Sequence, residues 1–120
     1  MLRRVVRSGA VLCLWVLLVE AAAAERAFDL TLDAPAAGDP RTLRVTQGDT
    51  VELRLTATRA GVAHLHALRL ETNVRPGEPA ALRFVARTAG RFRLEWHTDD
   101  GRAPAGHHAA PAAVLEVHPH

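Results

Sequence analysis

Seven histidines stand out in this chain: His64, His66, His97, His107, His108, His118 and His120. Five of them fall in the last quarter of the sequence. A neutral imidazole is a good ligand for Cu(II), Zn(II) and Ni(II), and Cu(II) is bound tightest in the usual order. His64 and His66 are two residues apart. On an extended strand such a pair shares a face, about 6–7 Å apart at Cα. Two such imidazoles suit two ligands of one metal, or one ligand beside its supporter. Taking the strand as His64 to Leu70, positions 64, 66, 68 and 70 read His, His, Leu, Leu. If the leucines face the core, the two histidines face the same way at the strand's end. His97 directly follows the apolar run Phe92, Leu94, Trp96. His107 and His108 sit in the stretch Asp99 to Pro111, DDGRAPAGHHAAP, which has no period and reads as a loop. His118 and His120, at the tail, read as surface residues. Asp99 and Asp100 read as turn residues or as supports for a ligand at His97.

Other chemistries are poorly supplied. Beyond residue 24 there is no Ser and no Cys, so a hydrolase would lack its usual nucleophiles, and Thr72 and Thr98 stand in no catalytic motif. We expect no enzyme. The chain carries fifteen basic and thirteen acidic residues. Arg3, Arg4, Arg7 and Glu20 belong to the first 24 residues, and without them the balance is twelve and twelve. A neutral chain without a basic patch gives no reason to expect nucleic-acid binding.

Those first residues read as a secretory signal. Arg3, Arg4 and Arg7 precede the apolar run Ala10–Val19, and the small residues Ala21–Ala24 follow Glu20. The apolar run is shorter than the roughly 18 residues a membrane span needs. Residues 1–24 are therefore expected to be removed, leaving a periplasmic or secreted domain over 25–120 that begins around Glu25 and has no membrane span. The one cysteine, Cys13, leaves with the signal. The domain must then hold together by its core alone.

The elements that must position the histidines read as strands. Apolar residues alternate at Phe28, Leu30, Leu32; at Leu43, Val45; at Val51, Leu53, Leu55; at Leu82, Phe84, Ala86; at Phe92, Leu94, Trp96; and at Ala113, Leu115, Val117. A period of two means one face in a core and one in water. Arg44, Glu52, Arg54, Arg83, Arg91, Arg93, Glu95 and Glu116 occupy the solvent face. Gln47-Gly48-Asp49, Ala60-Gly61, Pro76-Gly77 and Ala89-Gly90 punctuate the runs. About seven short strands with regular turns predict an all-β antiparallel sandwich or barrel with no helix longer than a turn.

The order of these pieces resembles the cupredoxins, the family of plastocyanin and azurin. The resemblance rests on Val45-Thr46-Gln47-Gly48-Asp49-Thr50-Val51, on His64-Leu65-His66-Ala67-Leu68, on Pro76-Gly77 before a strand, and on Ala89-Gly90-Arg91-Phe92 running into Trp96-His97. It spans roughly Phe28 to His118 and is similar in detail to short exported bacterial members with an H-x-H strand. It implies a Greek-key β-sandwich with a copper site in a His-rich loop over about 97–111. It also implies that His66 or His64 stands for the family's strand ligand. His97 lies one residue past the place of the family's Cys, which here is Trp96, and His107 and His108 lie in the loop that bears the remaining ligands. Without thiolate no blue-copper site forms. The reading is thus an exported, monomeric copper-binding protein for storage, delivery or resistance. It would use His64, His66, His97, His107 and His108, and exchange copper with another envelope protein. The alternatives are a metal-free sandwich serving as a binding or assembly module, and a redox-enzyme subunit without its own centre.

Overall fold

The computed structural model describes residues 22–33, 39–99 and 111–120. The described residues form eight strands and one short turn of 3-10 helix. The strands are β1 (Glu25–Thr31), β2 (Arg41–Thr46), β3 (Thr50–Thr56), β4 (Gly61–Leu65), β5 (Leu70–Val74), β6 (Ala80–Val85), β7 (Gly90–Thr98) and β8 (Ala113–His118). They build two facing sheets, one ordered β1-β3-β6 and the other β2-β8-β7-β4-β5. Consecutive strands stay in one sheet only at β4–β5 and β7–β8. The other connections cross between sheets, as in a Greek-key sandwich. Both sheets are mixed: β1 runs parallel to β3 and β2 parallel to β8, the remaining pairs being antiparallel. The antiparallel expectation is corrected to that extent.

The alternating runs place their apolar residues inward. Leu43, Leu53, Leu55, Leu65, Leu94 and Leu115 are among the most deeply buried side chains. Each contributes roughly 1.5–3 kcal/mol relative to exposure. Phe28, Phe84 and Trp96 are partly buried and pack against this core. The solvent-facing positions pair across strands instead: Arg44 Nε lies 3.2 Å from Glu116 Oε2, and Arg83 Nη2 lies 2.7 Å from Glu25 Oε1.

Two tight turns make two of these sheet crossings. At Gln47-Gly48-Asp49 the chain leaves β2 for β3, with Gly48 at φ +96°, a conformation glycine adopts without steric cost. Asp49 holds the corner: its Oδ2 accepts the Thr46 N–H at 2.9 Å, while its N–H donates to the Thr46 carbonyl at 3.0 Å. The Ala86 N–H and the Gly48 N–H complete the corner by donating to the Asp49 and Ala86 carbonyls, each at 2.8 Å. The second crossing, from β5 to β6, uses Pro76-Gly77, with Gly77 at φ +74° and a bridge between Arg75 and Glu78. Proline then glycine is the residue order a type II turn favours.

The eighth strand arises where a single run, His64 to Leu70, was expected. The chain instead ends β4 at Leu65, turns through a 3-10 segment at His66–Leu68, passes Arg69 in the left-handed region (φ 51°), and returns as β5.

Candidate metal centre

β4 and β7 are antiparallel neighbours, with Val62 opposite His97, Ala63 opposite Trp96, and His64 opposite Glu95. Ala63 and Leu65 of β4 are fully buried. His64 therefore points away from the core, onto the outer face of the five-stranded sheet. Its predicted core-facing register is corrected. The phase was inferred from Leu68 and Leu70, but Leu68 lies in the 3-10 turn and Leu70 beyond it, so the turn resets the alternation relative to β4. Leu68 and Leu70 do pack against the core, half-buried, without carrying His64 with them.

His64 and His66 still meet. Their ring centroids lie 4.0 Å apart at an interplanar angle of 40°. The 3-10 turn folds His66 back over the outer face, where a continued strand would have carried it onward. On β7, Trp96 turns inward and Glu95 and His97 turn outward. The His97 ring stands edge-on to His66 at 6.5 Å. One donor nitrogen from each of His64, His66 and His97 falls within 4.8 Å of the others. A metal bound at about 2.0–2.1 Å from each nitrogen spaces its donors roughly 3–4 Å apart, so small ring movements close the set.

Glu95 completes the cluster. Its Oε2 lies 2.6 Å from His66 Nε2 and 3.6 Å from His97 Nε2, and its Oε1 lies 3.7 Å from Arg93 Nε. Partial burial pushes the Glu95 carboxyl up. The hydrogen bond to His66 and the charges of His66, Arg93 and His97 outweigh that and hold it below the usual carboxylate range. A carboxylate fixed against a ligating imidazole orients the ring and raises its basicity. The sequence reading assigned Glu95 only to the solvent face. Its position two residues before His97 on the same strand was the available signal.

Gly61 is a second residue that reading missed as part of the site. A β-carbon there would meet the His97 carbonyl oxygen, the Trp96 ring at 2.8 Å and Thr98 Cα at 3.0 Å. Its lack of a side chain lets β7 lie against β4 beside His97. Trp96, which stands where the resemblance places the family's Cys, packs against the core. Its buried indole N–H has no hydrogen-bond partner among the described residues.

The remaining predicted positions separate. His107, His108 and Asp100 lie outside the described residues. Asp99 is a turn residue whose N–H donates to the Ala60 carbonyl at 3.1 Å. His118 is exposed at the end of β8 beside the start of β7, since Val117 pairs with Gly90. That places it at the opposite end of β7 from His97. His120 Nδ1 lies 2.9 Å from the Gln47 carbonyl oxygen.

Solved structures share this architecture. A multicopper oxidase from Pseudomonas thermotolerans aligns with TM-score 0.57 and 21% identity over 82% of this chain and 30% of its own. A blue copper oxidase from Nitrosomonas europaea aligns with TM-score 0.55 and 19% identity over 79% and 39%. A copper-containing nitrite reductase from Thermus scotoductus aligns with TM-score 0.53 and 24% identity over 79% and 28%. The fold is cupredoxin-like. The chain spans less than half the length of each of these three proteins. No family model matches the sequence, and no curated protein matches it. The cupredoxin-like resemblance and the Greek-key β-sandwich read from the sequence are thus borne out, with eight strands in place of about seven. In this cupredoxin-like domain the histidine cluster lies on the outer face of one sheet, while a tryptophan packs inward at the position the resemblance gives to a cysteine.

Proposed function

We infer that this chain is an exported copper-binding protein that stores or delivers the ion through His64, His66 and His97. The observation that carries the reading is the convergence of three imidazole nitrogens within 4.8 Å from two strands and a turn. The donor chemistry fits copper: three imidazoles and an adjacent carboxylate are borderline-to-hard ligands, suited to Cu(II) bound without sulfur. Copper held there would be a single cationic centre on the domain surface, exchangeable with a second protein. The site's exposure supports that use, since the His66 and His97 side chains are 52% and 56% exposed. A partner's ligands can reach such a site directly. The similar solved structures are named as copper proteins, which favours copper over zinc or nickel.

The role is binding, not catalysis, and the protein acts as a monomer that exchanges copper with another envelope protein. Export is supported by the basic, apolar and small-residue segments of residues 1–24. No helix among the described residues is long and apolar enough to cross a membrane. The second reading, a metal-free assembly module, is favoured by Trp96 packing inward where the resemblance has a ligand.

Electron paramagnetic resonance of the untagged mature domain, titrated with one equivalent of Cu(II) against a competing chelator, separates the two. A single type 2 signal with several nitrogen couplings that survives the chelator is the expected result. A heterogeneous signal stripped by the chelator means that no site is preformed and favours the module.

A further inference from the structure

The corner between β2 and β3 carries an interaction that the metal centre does not use. Asp49 is 4% exposed. Its Oδ2 accepts the Thr46 N–H at 2.9 Å and lies 3.5 Å from Arg26 Nε. Its Oδ1 accepts a hydrogen bond from the Ala24 nitrogen at 3.0 Å. The Ala24 carbonyl in turn accepts the Thr50 N–H at 2.9 Å. Ala24 is thus held at both its backbone groups and is half-buried, whereas Ala22 and Ala23 are exposed.

Export signals end in small residues at the first and third positions before the cut. In Glu20-Ala21-Ala22-Ala23-Ala24 two cuts satisfy this, after Ala23 and after Ala24. A cut after Ala22 would put Glu20 at the third position. Local sequence does not distinguish the two cuts, but their folded products differ. Cutting after Ala24 deletes both the donor to Asp49 Oδ1 and the acceptor of the Thr50 N–H. Unmet buried polar groups cost free energy. Cutting after Ala23 keeps both contacts.

We propose that the signal is removed between Ala23 and Ala24, and that the new α-ammonium group docks on Asp49 as a structural ion pair. This rests on the export part of the reading above. The reaction is peptide-bond hydrolysis by an endopeptidase of the export machinery. Water's hydroxyl goes to the Ala23 carbonyl carbon and its proton to the Ala24 nitrogen; the new Ala23 carboxyl then ionises to solvent, and a proton taken back from solvent makes the Ala24 ammonium near neutral pH. The cut replaces an amide N–H by a charged donor at the same place. The amide N–H already meets an ionised carboxylate; the cut adds a full positive charge on the donor side, and the burial of Asp49 limits screening by salt. Processing would thereby lock the corner that joins the two sheets.

The test starts from the full chain expressed in an exporting host, with intact mass and N-terminal sequence read on the exported product. A product beginning at Ala24 is expected. One beginning at Glu25 or elsewhere overturns this proposal and leaves export standing. A full-length chain retained inside the cell overturns both. Docking is read separately by comparing the chain that begins at Ala24 with the same chain acetylated at its α-amino group. The free amine should melt about 4–8 °C higher, and Asp49→Asn should abolish the difference. Equal melting of the free and acetylated chains overturns the ion pair.

Discussion

Replacing Gly61 by alanine probes whether the close approach of β4 and β7 sets the candidate metal centre. An alanine β-carbon would lie 2.8 Å from the Trp96 ring and 3.0 Å from Thr98 Cα, and against the His97 carbonyl oxygen. Comfortable carbon contacts are about 3.5–4.0 Å, so the strands must separate by roughly 0.5–1 Å at this pair. Backbone and core give way at a cost of about 1–3 kcal/mol for such overpacking. For a domain of this size that lowers the melting temperature by roughly 5–20 °C. His97 is the neighbour of the disturbed pair. Functional constellations need to be held within about 0.5 Å of their working geometry, so Cu(II) affinity should fall about tenfold or more. The assay is thermal unfolding by circular dichroism together with chelator competition for Cu(II). Gly77→Ala is the control. Its φ of +74° strains an alanine, but no atom lies within 4 Å of the added carbon. It should lower stability by about 1–2 kcal/mol and leave copper affinity unchanged. An unchanged melting temperature in Gly61→Ala would refute the packing argument. A lower one with unchanged affinity would break the link between the β4–β7 approach and the histidine cluster.

Further expectations concern individual side chains. His66→Ala and His97→Ala should each lower Cu(II) affinity by more than the about 10–100-fold typical of losing an outer support. Both side chains are more than half exposed, so the melting temperature should hardly move; unchanged affinity would show copper binding elsewhere. Glu95→Gln keeps a hydrogen-bonding partner for His66 but removes the charge, and should weaken Cu(II) by about 10–100-fold. An identical competition curve and spectrum would dismiss Glu95 as a support. Asp49 contributes to the acid limb of stability, alongside Asp33, Glu52 and Glu95, whose carboxyls are also held low. The Thr46 N–H in the first place, with the Ala24 N–H and Arg26, holds the Asp49 carboxyl below the usual range despite burial. A lowered carboxylate pKa contributes stability that is fully present above the unfolded value of about 3.9. That contribution is lost as pH falls through the native value. Asp49→Asn should flatten the stability-versus-pH curve below about pH 4, and a curve of unchanged slope there would contradict this role.

The alternating apolar residues of this chain were enough to settle which side of most strands is buried. Leu43 and Val45, Val51, Leu53 and Leu55, Phe92 and Leu94, and Leu115 and Val117 all face the core as their spacing implies. The Gln47-Gly48-Asp49 and Pro76-Gly77 turns were legible for the same reason, since a turn's residues carry their own backbone preferences. Burial of alternate residues and tight turns are local properties, and the sequence states them locally. The phase of β4 was not legible. Val62 and Ala63 are both apolar, so Gly61–Leu65 can be read in either register, and the left-handed Arg69 after the 3-10 turn left no glycine to announce the break. Nor could spacing say that His97 would lie one strand over from His64 and against a glycine. That pairing joins residues about thirty positions apart and is fixed by the β4–β7 register, which the packing of the whole sandwich selects. Histidine content and strand pattern alone therefore determined that this is a β-sandwich with imidazoles to offer. Tertiary pairing decided which three meet and placed them outward, because a one-residue change of phase moves every side chain on a strand to the other face.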